Sequence, residues 1–396
     1  MPGLDETLHK LAEYRKRFED LFPAASRRSE AKARPSRDSQ KLVETDAFGA
    51  NPGNLRMFSF VPDLLPPKAP LVVVLHGCTQ TAASYDNGAG WSDLAARFGF
   101  AVLIPEQQRA NNPNLCFNWF VPRHTARDEG EVASIRQMID HMVTEHGLDP
   151  ARIAITGLSA GGAMAAAMLA CYPELFAHGA IIAGLPYGAA GNVQEALGAM
   201  FQGVGKSGED WADLVRSASP HQGPWPKVSV WHGSADATVR PSNAGETVKQ
   251  WIALHGLPEE HSHEKAGPGF THRVWQGRDG STLLEAYDIA GMAHGTPIAP
   301  NAVEPQERCG AAGPYMLDVG ISSTYLIAQS WGLVGETARA PAAARAAVPS
   351  AGDPHKRRER SANPSARGAS RPRYANSPVD PGAVIAKALR AAGLIK

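Results

Sequence analysis

The sequence predicts an α/β protein with a mostly parallel central sheet and helices on both faces. Three observations carry that expectation. Short uninterrupted apolar runs recur between about Lys41 and Gly335, longer helical patterns separate them, and glycines punctuate the helix ends. Runs without polar alternation suit strands buried on both faces, and parallel strands need helical crossovers between them.

The elements follow in order. "PLVVVLHG" (Pro70–Gly77) and "FAVLIPEQ" (Phe100–Gln107) read as buried strands. "EVASIRQMIDHMVTEHG" sets Val132, Ile135, Ile139 and Met142 on one helical face and stops at Gly147. Strand "RIAITG", helix "AMAAAMLACY", strand "GAIIAG", strand "VSVWHG", helix "AGETVKQWIALHG" and strand "TLLEAYDI" come next, and helix "SSTYLIAQSWGL" closes the series. The sequence has no internal repeat.

The 396 residues have a formal net charge of zero, so nothing pulls the whole chain toward nucleic acid or a membrane. No apolar run is long enough to span a bilayer. The ends differ from the middle. Residues 1–40 read as a short helix and a polar linker, and residues 41–336 as the catalytic domain. The N-terminus lacks the apolar region of a secretory signal, which predicts the cytoplasm. Residues 337–396 hold twelve basic and three acidic residues in a background of Ala, Pro and Ser. That composition predicts a disordered basic tail. A short amphipathic helix, "PGAVIAKALRAAGLIK", ends it. The tail fits a solvated extension better than a nucleic-acid arm, and it offers a contact to a granule or anionic surface.

The chemistry centres on "ITGLSAGGAMAAAML". Gly157-x-Ser159-x-Gly161 has only three fixed positions and is weak alone. Its setting strengthens it, because Ser159 follows a predicted buried strand and opens a predicted helix. A serine held on such a turn projects its hydroxyl above the sheet edge. A hydroxyl needs a base, and the base needs a carboxylate to fix its tautomer. In this arrangement the chain order is serine, acid, histidine. Asp236 in "VSVWHGSADATV" and His294 in "DIAGMAHGTP" fit that order, and each follows a strand. His232 and His272 are the alternative bases. His232 sits at a strand end next to Asp236, and His272 opens a strand. Asp288 is the alternative acid, within a strand.

An oxyanion needs backbone donors. The Ala160 N–H follows the nucleophile directly, and the Cys78 N–H in "LHGCTQT" is the second candidate. His76 fits a role in shaping this loop or in lining the substrate site. Trp119 in "NLCFNWF" fits two roles, walling the cleft or packing in the core.

Together "LHGCTQTAASYDNGAGWSDLAARFGFAVLIPEQ", "NLCFNWF", "TGLSAGGAMAAAMLACYPELFAHGAIIAGLPYGAA", "WHGSADATV", "GMAHGTP" and "LDVGISSTYLIAQSWGL" resemble the polyhydroxybutyrate depolymerase family of esterases. The resemblance covers about Leu71 to Gly335. It implies an α/β-hydrolase fold and a serine esterase acting on polyester or its oligomers. Feruloyl and acetylxylan esterases are similar in fold and triad. The implied residues are Ser159, Asp236 and His294, with the oxyanion loop at His76–Cys78. No cofactor and no metal are implied. Many family members are exported, so the resemblance points outside the cell where the N-terminus points inside.

Two other classes stay open. Sequence order does not separate ester from amide targets, so a serine peptidase of the same fold is one. A surface-binding protein working through the basic tail is the other. Four cysteines lack zinc spacing and are too few for a disulfide scaffold. Cys78 and Cys116 follow strands expected to be adjacent and parallel, which predicts that the two thiols lie within bridging distance.

Overall fold

The computed structural model describes residues 41–335. The N-terminal helix and linker expected over residues 1–40, and the basic tail expected over 337–396, lie outside the described residues.

Strand β3 (Leu71–Leu75) shows why the sheet needs two covers. Leu71, Val73 and Leu75 enter one apolar core, while Val72 and Val74 enter the other. Side chains alternate across a strand, so a continuous apolar run fills both faces at once. Strands β4 (Ala101–Glu106), β5 (Ile153–Leu158), β6 (His178–Ile182), β7 (Lys227–Gly233) and β10 (Thr282–Ile289) share the sheet with it. Strands β1 (Val43–Thr45), β2 (Arg56–Phe60), β8 (His263–Gly267) and β9 (Phe270–Gln276) complete it. The order is β1-β2-β4-β3-β5-β6-β7-β10-β9-β8, ten strands in one sheet. From β4 to β10 every neighbouring pair is parallel, and both flanks are antiparallel. The fold is thus α/β with a mixed, mostly parallel centre.

Helices cover each face. Gly130–His146, Ala160–Cys171, Val193–Gln202, Gly208–Ser217 and Ser242–His255 contribute to one core. Ala82–Ala89, Trp91–Phe98 and Ser323–Ser330 contribute to the other. Every residue of helix Ala160–Cys171 is buried, which is why its sequence is alanine-rich and carries no polar face. No helix among the described residues is long and apolar enough to cross a membrane.

All six strands read from the apolar runs lie in the sheet, and the strand expected to open at His272 is β9, whereas β1, β2 and β8 were not anticipated. β8 reads "HEKAG" and is almost wholly exposed, so no apolar signal marks it. It is held by pairing with β9, and charged edge strands of this kind resist pairing with another chain. The short helix Trp91–Phe98 was also passed over. Its buried Trp91, Leu94 and Ala95 do carry helical spacing.

Candidate active site

Three loops at the carboxyl edge of the parallel strands bring the expected residues to one place. Ser159 stands between β5 and helix Ala160–Cys171 with φ 57° and ψ −117°. That conformation is costly for a residue with a side chain. Its surroundings hold it there. The Ser159 N–H donates to the Ile182 carbonyl at 2.9 Å, and its own carbonyl accepts from Ala163 N–H at 2.9 Å. The flanking glycines are required by space. A Cβ on Gly157 would strike the Gly161 carbonyl, and one on Gly161 would strike the Leu75 carbonyl.

Asp236 follows β7, and His294 lies in the loop after β10. His294 Nδ1 lies 2.7 Å from Asp236 Oδ2. Asp236 Oδ1 accepts the Thr238 and Val239 N–H groups at 2.8 and 2.9 Å. Burial opposes the Asp236 charge, but His294 and His232 beside it outweigh that and hold the carboxyl well below the usual range. An ionised carboxylate only accepts, so the His294 proton sits on Nδ1 and Nε2 is left as a base. His294 and Ser159 line the same small cavity of about 210 Å³, with Gly77, Gln80 and Tyr315 among its other walls. The alternative base His272 lies in β9 and bonds Glu285 Oε2 at 2.7 Å, and Asp288 lies inside β10. Neither borders that cavity.

The expected oxyanion loop adjoins Ser159. Neither the Cys78 nor the Ala160 N–H bonds another described residue, and both residues line a second cavity that also contains Ser159. The loop is tied down by neighbours. Gly77 N–H donates to Gln80 Oε1 at 2.8 Å, and Thr79 N–H donates to the Asn114 carbonyl at 2.6 Å. Cys78 and Cys116 form a disulfide with a Cα–Cα separation of 4.2 Å, so the expected proximity is found.

His76 takes the expected loop-shaping position and lines neither cavity beside Ser159. It is fully enclosed, its Nε2 accepts the Gln107 N–H at 3.1 Å, and its Nδ1 bonds the Gly77 carbonyl at 2.7 Å. Both nitrogens are used inside the protein. Burial lowers its pKa to about 4, although the bond to the Gly77 carbonyl works the other way, so His76 is a neutral brace of the loop.

The second cavity is larger, about 530 Å³, and lies beside Ser159 on the Cys116 side. Trp119, Phe120, Leu185, Leu197, Met200 and Val239 give it apolar walls. Trp119 is packed in the core and also faces this cavity. Among the described residues no cluster of His, Cys, Asp and Glu could hold a metal ion.

Residues 60–274 match the family model described as "Esterase PHB depolymerase". That span is more than half of the chain. The chain belongs to the PHB depolymerase esterase family. Over 295 residues it is 48% identical to poly(3-hydroxyalkanoate) depolymerase C of Paucimonas lemoignei, covering 74% of this chain and 70% of that one. It is 33% identical to acetylxylan esterase A of Emericella nidulans, covering 59% and 80% of the two chains. Among solved structures, acetyl xylan esterase from Aspergillus awamori superposes with a TM-score of 0.59 at 27% identity, over 64% of this chain and 93% of that one. The protein is a carboxylic ester hydrolase with an α/β-hydrolase fold.

Several residues of this esterase escaped the sequence reading. Tyr315 sets its ring edge against His294, with centroids 6.2 Å apart at 82°, and holds φ 63° at the cavity wall. Nothing in "AAGPYMLD" marks it. Glu131 is fully buried behind the disulfide loop. Its Oε1 accepts from Gln107 Nε2 at 2.7 Å and Asn118 Nδ2 at 2.6 Å, and its Oε2 accepts the Asn118 N–H at 2.9 Å. Burial raises its pKa to about 7 against the pull of those bonds. A glutamate in helical register with Ile135 and Met138 was the available signal.

Proposed function

We propose that this esterase hydrolyses the ester bonds of polyhydroxybutyrate-type polyesters or their oligomers, through Ser159, His294 and Asp236 and an acyl-enzyme. The observation that carries this reading is the apolar cavity opening on Ser159. An acyl chain bearing methyl groups would remove water from Trp119, Leu197 and Met200 on entering it.

His294 Nε2 takes the Ser159 proton as the hydroxyl oxygen attacks the ester carbonyl. The Cys78 and Ala160 N–H groups stabilise the oxyanion, each donor contributing on the order of a hundredfold or more. His294 then protonates the departing alcohol, and water repeats the sequence on the acyl-enzyme. The leaving oxygen must lie within reach of His294. The alcohol portion therefore belongs in the small cavity that His294 lines, and the acyl portion in the larger one that it does not.

The disulfide supports action in an oxidising compartment. The basic tail would add a contact to a granule or anionic surface. The second reading, a feruloyl- or acetylxylan-type esterase, is supported by the identity to acetylxylan esterase A. A screen of the purified protein against soluble 3-hydroxybutyrate oligomers, feruloyl esters and acetylated sugars tests both. The highest kcat/KM is expected on the oligomers. Turnover confined to acetylated sugars or feruloyl esters would overturn the polyester reading. Peptide-bond cleavage exceeding that of matched esters would favour the peptidase.

A further inference from the structure

We propose that His232 is a positioning residue that fixes the Asp236 carboxylate toward His294. This rests on the reading of Asp236 as the acid of the triad. His232 is the penultimate residue of β7 and is buried, as is Asp236. Its Nε2 lies 2.8 Å from the Val239 carbonyl oxygen and 3.3 Å from Asp236 Oδ2. A carbonyl only accepts, so Nε2 carries the proton. The same N–H is therefore shared, more strongly with Val239 and more weakly with Asp236 Oδ2.

The Nδ1 atom of His232 is buried and bonds no described group. His232 therefore meets the carboxylate through Nε2 alone.

The contacts close a ring. The Val239 N–H donates to Asp236 Oδ1 at 2.9 Å, and the Val239 carbonyl accepts from His232. His232 returns to Asp236 Oδ2, the oxygen that meets His294 Nδ1 at 2.7 Å. Rotation of the carboxylate would break bonds at both oxygens. The ring also ties the acid to the substrate site, because Val239 lines the large cavity. A histidine that merely filled space would not need Nε2 directed at both partners.

The test uses the full chain and a soluble nitrophenyl ester. His232→Met keeps side-chain bulk and removes the donor, whereas His232→Gln carries an amide nitrogen to about the place of Nε2. H232M is expected to lower kcat about ten- to a hundredfold with KM within about twofold. H232Q is expected to recover most of that loss. The downfield proton NMR signal of His294 Nδ1–H is expected to move in H232M and to return in H232Q. If H232M does not fold, H232Q is compared with H232N, whose shorter amide does not reach the Nε2 place and is expected to lose what H232Q keeps.

Wild-type kcat in folded H232M overturns the proposal. So does an H232Q as impaired as H232M, or as H232N, which would mark a packing role. Asp236→Asn in the same assay keeps the two claims apart. An active D236N removes Asp236 from the triad and this proposal with it. An inactive D236N beside a fully active H232M removes only the role of His232.

Discussion

Glu131 carries pH dependence into the support of the site. Its pKa of about 7 in the folded protein lies above the ordinary 4.5. Its contribution to stability is therefore complete below the ordinary value and is lost as pH rises through about 7. The melting temperature is expected to fall between about pH 5 and 8. Glu131→Gln is expected to begin lower, by about 1–2 kcal/mol from one misplaced amide donor, and to show a flatter pH profile. Equal slopes in the two proteins would show that Glu131 does not titrate in this range. The proposed triad lends itself to kinetics. Ser159→Ala, Asp236→Asn and His294→Ala are each expected to cut kcat by at least about a thousandfold, with circular dichroism unchanged, because the three act as a unit. Near-normal turnover in a folded variant would remove that residue. All three were legible because each is a chemically distinctive side chain just past an apolar run. Glu131 and Tyr315 were harder. What they do depends on whom they meet, and their partners at Gln107, Asn118 and His294 are distant in sequence or set by loop geometry.

The deciding contact between elements joins the loop after β3 to the loop after β4. The Cys78–Cys116 bridge spans 38 residues of sequence, and the Thr79–Asn114 and Gln107–Cys116 hydrogen bonds lie on either side of it. Cys116→Ser is expected to destabilise the protein by about 2–4 kcal/mol. It is also expected to lower kcat more than it raises KM, since Cys78 supplies a proposed oxyanion donor. Denaturant unfolding and steady-state kinetics read the two effects. An unchanged midpoint with intact activity would show that the bridge braces nothing, and mass spectrometry of the non-reduced protein reads the bridge itself. At this scale apolar runs made the strands of the parallel centre legible. Edge strand β8 was not, because it is stabilised by pairing and not by burial. The proximity of the cysteines followed from strand adjacency, which is a property of topology.

The parallel centre of the sheet gathers the whole site at one edge, with the β3 loop, Ser159, Asp236 and His294 each following a different strand. Helices on both faces make those strand ends rigid, so loops can hold a costly conformation such as that of Ser159. The α/β class was legible because alternation of strand and helix constrains topology strongly. Substrate choice was not, since the cavity walls come from Trp119, Leu197, Met200 and Val239, four separated stretches. A chain ending at Gly335 is expected to keep its kcat/KM on soluble esters. It is expected to hold less well to an anionic surface, with the difference shrinking in high salt. Loss of soluble-ester activity would place part of residues 336–396 in the catalytic unit. The most direct test of the central claim is covalent. Incubation with an alkyl phosphonate ester, followed by peptide mass spectrometry, is expected to find one adduct per chain on Ser159, forming in step with loss of activity. An adduct elsewhere that tracks inactivation, or full activity after Ser159 is labelled, would contradict it.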